Sequence, residues 1–291
     1  NAAQISAVAA ATTGAVTAAI AGDYSVVNAL TNTDNNDQIT ITVNDAISIA
    51  NVNTLDAKTG VDLVLTGGVS DEAVNLVAAD GGNAETAGFT AATTQDPNVA
   101  VTITGGAAAN AAQISAVAAA TTGAVTAAIT GDYSVVNALT DTDNNDQITI
   151  TVNDVISVAN VNTLDAKTGL DLVLTGGVSD EAVNYSDALG NASAGLDAIA
   201  AQDDDVTLTV TTAVNMLQMA DINAATNTAV VLTGGISDQA VNLVSAEVGN
   251  AETTEFTAAT TQDTDVAVTI TGGVDATAAQ ISAVAAATTG A

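Results

Sequence analysis

Fourteen residues, AAQISAVAAATTGA at 2–15, return letter for letter at 111–124 and at 278–291. Repetition constrains a chain more than composition does, because equal segments must fold alike and bury their apolar faces against one another. Gln4 recurs as Gln113 and Gln280, at offsets of 109 and 167 residues. Segments 1–75 and 110–184 differ only at Ala21/Thr130, Asn32/Asp141, Ala46/Val155, Ile49/Val158 and Val61/Leu170. Residues 67–106 return, with substitutions, at 234–273. The offsets define a super-repeat over 2–277, with internal blocks 1–109 and 110–276 and a next copy beginning at 278–291. The expectation is one continuous array over 1–291, read as a window from a longer one because it starts without Met and stops inside a repeat.

Within each block the units share a grammar. A short alternating run such as Ile39–Val43 or Val61–Leu65 reads as a strand with one apolar face. Such runs begin near 16, 39, 61, 99, 125, 148, 170, 206, 229 and 266. A helical pattern follows. In 48–60, Ser48 is a candidate N-cap, Ile49, Val52 and Leu55 form one apolar stripe, and Gly60 suits a left-handed residue past the end. The opening stretch repeats the pattern, with Asn1 or Asn110 as cap, Ile5 and Val8 (Ile114 and Val117) as stripe, and Gly14 or Gly123 as stop. Segment 213–227 aligns without gaps on 46–60 and carries Met216, Met219 and Ile222 on its stripe. The longer units hold two helical pieces, SDEAVNLVAAD and then ETAGFTAATTQD.

Strands joined by helices run parallel, with right-handed crossovers. The predicted fold is therefore α/β: a right-handed solenoid of strand–helix coils, with one parallel sheet and helices on one face. A parallel β-helix is the alternative. The period-three apolar stripe argues against it. The core must be thin, since much of the 48% hydrophobic content is Ala and aromatics are only 2%. Thr40, Thr42, Thr102, Thr104, Thr149, Thr151, Thr207 and Thr209 would point away from the helices and form a flat uncharged face.

The net charge of −31 comes from 33 acids against two lysines, with no Arg and no His. Binding to nucleic acid or anionic lipid requires cations that this chain lacks. Divalent cations are the partners such a charge attracts. Cysteine is absent, so there is neither a disulfide framework nor a thiolate site. No uninterrupted apolar run is long enough to span a membrane.

The unit VNTLDAKTG…DLVLTGG, preceded by TITVND, resembles repeats of very large secreted or surface proteins of bacteria. Cyanobacterial adhesin-like and haemolysin-type calcium-binding proteins are among them. The resemblance implies an extracellular or cell-surface location and a structural or adhesive role, with no defined site. The glycine-rich nonapeptide of calcium β-rolls is missing, so calcium is not carried over from it.

Acidic loops precede several strands: Asp34 and Asp37; Asp141, Asp143 and Asp146; Asp203, Asp204 and Asp205; Asp263 and Asp265. Two readings stand. They are solvated turn residues, or they are calcium ligands bridging adjacent coils, since calcium takes six to eight oxygens. The loop at Asp141 opens like an EF-hand but has Asp146 where the motif needs Gly and Val152 where it needs Glu. Asn28, Asn75, Asn137, Asn184 and Asn242 recur in register and are expected to bond turn backbone. Lys58 and Lys167 are expected to sit at helix ends beside Asp62 and Asp171.

No nucleophile–base pair, phosphate loop or aromatic sugar platform is present, so the chain reads as no enzyme. The function expected is that of a structural extracellular repeat protein. It would form a rod or filament in a surface layer, sheath, fibre or adhesin stalk, with neighbouring copies as partners and lateral self-association. A calcium-dependent adhesion module is the alternative, and an ice-binding Thr face a remote one.

Overall fold

A computed structural model describes residues 1–78, 83–105, 109–245, 249–272 and 276–290. The chain divides into two compact units. The first comprises Asn1–Ile129, Asn137–Thr149 and Lys167–Leu170; the second comprises Thr130–Val136, Ile150–Ala166 and Asp171–Ala291.

In the first unit, strand Thr17–Gly22 pairs in parallel with Gln38–Val43, and Thr17 faces Gln38. Val69–Glu72 pairs in parallel with Val101–Thr104, and Val101 then faces Val125. Single parallel bridges join Thr42 to Val64 and Ile47 to Val69. In the second unit, Thr151 faces Val173, Val178 faces Leu208, and Ile236 faces Val268, all in parallel. Parallel bridges join Ile156 to Val178, Thr209 to Val231 and Val214 to Ile236. Across these parallel pairs the partner lies 21–24 residues further on, or 30–32 where a longer unit intervenes. Val69–Glu72, Val101–Thr104, Val125–Gly131, Gln147–Val152 and Val173–Leu174 follow one another in a five-stranded sheet. The fold is mixed α/β with a parallel sheet, the class the repeats imply.

The helices form where caps and stripes coincide. Ser48 Oγ accepts from Asn51 N at the start of helix Ile49–Asp56, whose Ile49, Val52 and Leu55 are all buried. Asn110 and Gln113 cap each other's backbone at the start of Ala111–Ala120, and Asn215 and Gln218 do the same for Met216–Ala224. Met216, Met219 and Ile222 are buried as the stripe requires. The copies are not equal everywhere, however. Val117 is fully buried, whereas Val8 in the identical opening helix Ala2–Ala10 is 55% exposed. Val117 joins a cluster with Val99 and Val101.

Several sequence expectations are corrected. Val61–Leu65 and the run near 229 are not ladder strands; only Val64 and Val231 make bridges. Leu63 and Leu65 are buried as alternation predicts, but their amides go to side chains. Leu63 N donates to Gln95 Oε1 at 3.2 Å and Leu65 N to Asp96 Oδ2 at 2.9 Å. SDEAVNLVAAD is not a helix over its length. Val69–Glu72 is a strand, Ala73–Leu76 is a single helical turn, and positions 79–80 lie outside the described residues.

Gly60 and Gly123 are not left-handed. A Cβ on Gly60 would lie 2.3 Å from Asn35 O, and one on Gly123 2.3 Å from Asn98 O, so close backbone approach accounts for glycine there. Gly14, also without a left-handed φ, meets only Thr12 Oγ1 at 3.5 Å. The LTGG turn uses both properties of glycine. A Cβ on Gly67 would lie 2.1 Å from Asp45 C, and Gly68 has a φ of +80°.

Candidate functional site

The recurrent polar feature is an aspartate whose carboxylate accepts a main-chain N–H from an earlier stretch of chain. In the first unit, Asp37 Oδ1 accepts from Val16 N at 2.7 Å, and Asp45 Oδ1 from Tyr24 N at 2.6 Å. Asp71 Oδ2 accepts from Ile49 N at 2.9 Å, Asp96 from Leu65 N, and Asp146 Oδ1 from Val125 N at 2.8 Å. In the second unit, Asp154 Oδ1 accepts from Tyr133 N at 2.7 Å and Asp180 Oδ2 from Val158 N at 3.1 Å. Asp203, Asp238 and Asp263 accept from Leu174 N, Met216 N and Leu232 N at 2.8, 2.8 and 3.0 Å. Several of these donors begin helices, where the first amides have no intrahelical partner. An ionised acceptor is the strongest available for such an amide.

The Asn residues after these latches complete them. Asn75, Asn184 and Asn242 donate through Nδ2 to Oδ1 of Asp71, Asp180 and Asp238, at 2.7, 2.6 and 2.7 Å. Their acceptor is thus a carboxylate and not the turn backbone that the sequence suggested. A second set of latches uses buried threonines. Thr59, Thr168 and Thr226 donate through Oγ1 to Ile39 O, Ile148 O and Val206 O at 2.8, 2.7 and 2.6 Å.

The ten acids singled out from the sequence therefore occupy different situations. Asp37 and Asp146 are buried, each at 5% exposure, and each also accepts from its own loop, from Asp34 N and Asp143 N. Asp34 and Asp143 accept from Asn36 N and Asn145 N, closing local turns. Asp203 and Asp263 are latches. Asp204 Oδ2 accepts from Asn227 Nδ2 at 2.7 Å. Asp205 and Asp265 are exposed. Asp141 and its counterpart Asn32 share a φ near +59°, a conformation that Asn and Asp tolerate better than most residues. That shared backbone requirement explains why the two exchange between copies. Among the described residues, no group of three or more acids is disposed to hold a metal ion.

Both lysines turn backward. Lys58 Nζ donates to Leu30 O at 2.7 Å, and Lys167 Nζ to Leu139 O at 2.5 Å. These carbonyls, and not Asp62 or Asp171, take the ammonium groups. The Thr face is partly as expected: Thr40, Thr104, Thr149 and Thr207 are exposed, and Thr42, Thr102, Thr151 and Thr209 half-buried.

Two groups have displaced titrations. Burial, and then the negative Asp180 beside it, pushes the Tyr185 phenol far above its ordinary value. Its Oη lies 3.0 Å from Val178 O and 3.1 Å from Thr209 O. Asp187 is held below the usual carboxylate range, first by the Asn191 side chain at 2.8 Å and then by the Asn191 amide at 3.0 Å.

Sequence reasoning missed Asp45, Asp71, Asp96, Asp154, Asp180 and Asp238. The signal was their recurrence in register: TVND at 42–45 and 151–154, SD at 70–71, 179–180 and 237–238, and QD at 95–96, 202–203 and 262–263. Among the described residues, no helix is long and apolar enough to cross a membrane. No family model, curated protein or solved structure matches the chain.

Proposed function

We propose that the strand–helix coils stack as a right-handed solenoid with helices on one face, and that the chain is a structural repeat protein. In this reading it forms a rod or filament with neighbouring copies at the outside of a cell, in a surface layer, sheath, fibre or adhesin stalk. One observation carries the reading. The parallel partner recurs every 21–24 or 30–32 residues, with a carboxylate fastening at nearly every step. An architecture in which each coil needs only its neighbours grows in length without a larger core. The Thr-rich strand face and the absence of a nucleophile–base pair support a mechanical role over a catalytic one.

Small-angle scattering and negative-stain electron microscopy of the 291-residue chain test this. The expected result is an elongated particle whose cross-section stays constant as copies associate. A particle with the radius of gyration of a sphere of this mass would overturn it. Thermal melting with and without a calcium chelator separates the structural reading from the calcium-dependent adhesion module, for which the midpoint must fall on chelation.

A further inference from the structure

The third version of the helix-bearing unit differs from the others at many positions, and one group of its changes packs together. At the offset of 167 residues, Asp71, Val74, Asn75 and Thr86 are kept as Asp238, Val241, Asn242 and Thr253. Around them, Ile49 becomes Met216, Ala50 becomes Leu217, Asn53 becomes Ala220 and Gly88 becomes Glu255. These changes are coupled by packing. A Cβ on Gly88 would lie 2.4 Å from Ile49 Cγ2, and one on Gly195 2.2 Å from Val158 Cγ1. A β-branched residue on the facing helix therefore forbids any side chain there. Met216 has no branch at Cβ, and only in this version does a side chain occupy the position.

The result is a groove of about 380 Å³ between helices Met216–Ala224 and Thr254–Gln262, walled by Met216, Leu217 and Val241. The equivalent groove beside Gly195 measures about 260 Å³. Leu217 and Val241 are 56% and 57% exposed, so the wall is apolar and open. Its acids are Asp238 and the half-buried Glu255. Asp238 is committed to Met216 N, Gln239 N and Asn242 Nδ2. Glu255 is in the first turn of its helix, where the amides favour a carboxylate. Among the described residues no side chain donates to it, and both lysines of the chain are engaged elsewhere. A second depression, of about 140 Å³, continues past Glu255 along Met219 and Ala258.

We propose that this groove binds a small organic cation with an apolar arm, a primary alkylammonium. The ammonium pairs with Glu255 and the alkyl chain lies on Leu217, Val241 and Met216. An apolar cleft of a few hundred Å³ with one or two placed charges is the usual form of a small-ligand site. The inference is independent of the assembly state and does not rest on the structural reading above.

The chain contains two methionines, Met216 and Met219, and each lines one of the two depressions. Methyl-labelled methionine therefore reports occupancy directly by NMR. With n-hexylammonium as probe at moderate salt, the Met216 methyl signal should shift saturably, and with n-hexanol at equal concentration it should not. Glu255→Gln should weaken hexylammonium binding about fivefold, the scale of one partly exposed charge pair. Leu217→Ala should weaken it also, while Asp62→Asn, an acid of the other unit, should leave it unchanged. No saturable shift, equal binding of hexanol, or equal weakening by Asp62→Asn and Glu255→Gln would overturn the assignment.

Discussion

Removing one latch tests how much the carboxylates hold. Asp238 suits the purpose because it is buried, at 8% exposure, and accepts from three donors. These are Met216 N at 2.8 Å, Gln239 N at 2.7 Å and Asn242 Nδ2 at 2.7 Å. In Asp238→Ala the three are affected unequally. Met216 N is a buried donor at the first position of its helix and has no other acceptor within it. Leaving such a donor unsatisfied costs about 1–3 kcal/mol. The other two sit nearer the surface, where water can replace the carboxylate, and each loses about 0.5–1 kcal/mol. The expected loss is therefore about 2–5 kcal/mol.

Because the chain has two compact units, a single global unfolding transition is not assumed. Amide hydrogen exchange reads the local loss instead. At neutral pH the Met216 amide and those of helix Met216–Ala224 should exchange about 30-fold faster or more, since 1.36 kcal/mol is a factor of ten. Asp238→Asn, which keeps one acceptor oxygen, should fall between. Asp265→Ala, at an exposed position, should change exchange of that helix by less than about twofold, as surface substitutions do. Equal exchange of the Met216 amide in Asp238→Ala and Asp265→Ala would refute the view that these carboxylates fasten earlier stretches of the chain.

Three further substitutions probe other parts of the scaffold. Gly67→Ala places a methyl 2.1 Å from Asp45 C and should destabilise its surroundings by about 1–3 kcal/mol, read as faster amide exchange there, whereas Gly14→Ala, facing only Thr12 Oγ1 at 3.5 Å, should change local exchange by no more than about 0.5 kcal/mol. Tyr185 binds its proton more tightly folded than unfolded, so its contribution is complete below about pH 10 and is lost as pH rises beyond that value. Urea midpoints measured from pH 8 to pH 11 should fall at the alkaline end, and Tyr185→Phe should flatten that fall while costing about 1 kcal/mol at pH 7 through the lost hydroxyl contact.

What the letters reveal and what they conceal divides along the reach of each interaction. The helices were legible because cap and stripe lie within a few residues of each other, as Ser48 does to Asn51 and Ile49 to Leu55. Val61–Leu65 was half legible: alternation placed Leu63 and Leu65 inside, but their amides are taken by Gln95 and Asp96, about thirty residues on. A local pattern carries no trace of such a partner. Val69–Glu72 was misread because Asp71 and Glu72 look like the start of a helix, while the same Asp71 serves Ile49 N, 22 residues earlier. The acidic loops were left between two readings for the same reason. A run of Asp looks alike whether its oxygens face a cation or an amide. Asp37, buried against Val16 N, belongs to the second kind.

The choice of acid was the clue that needed no partner to interpret. Among the described residues, all ten latches are Asp and none is Glu. A cation site can use either, since both offer the same two oxygens. A latch on main-chain N–H favours the shorter side chain, which loses less rotamer freedom when held in one place. Where Glu does appear inside a conserved frame, as Glu255 does in place of Gly88, it makes no such latch, and it is there that the repeat has changed its chemistry.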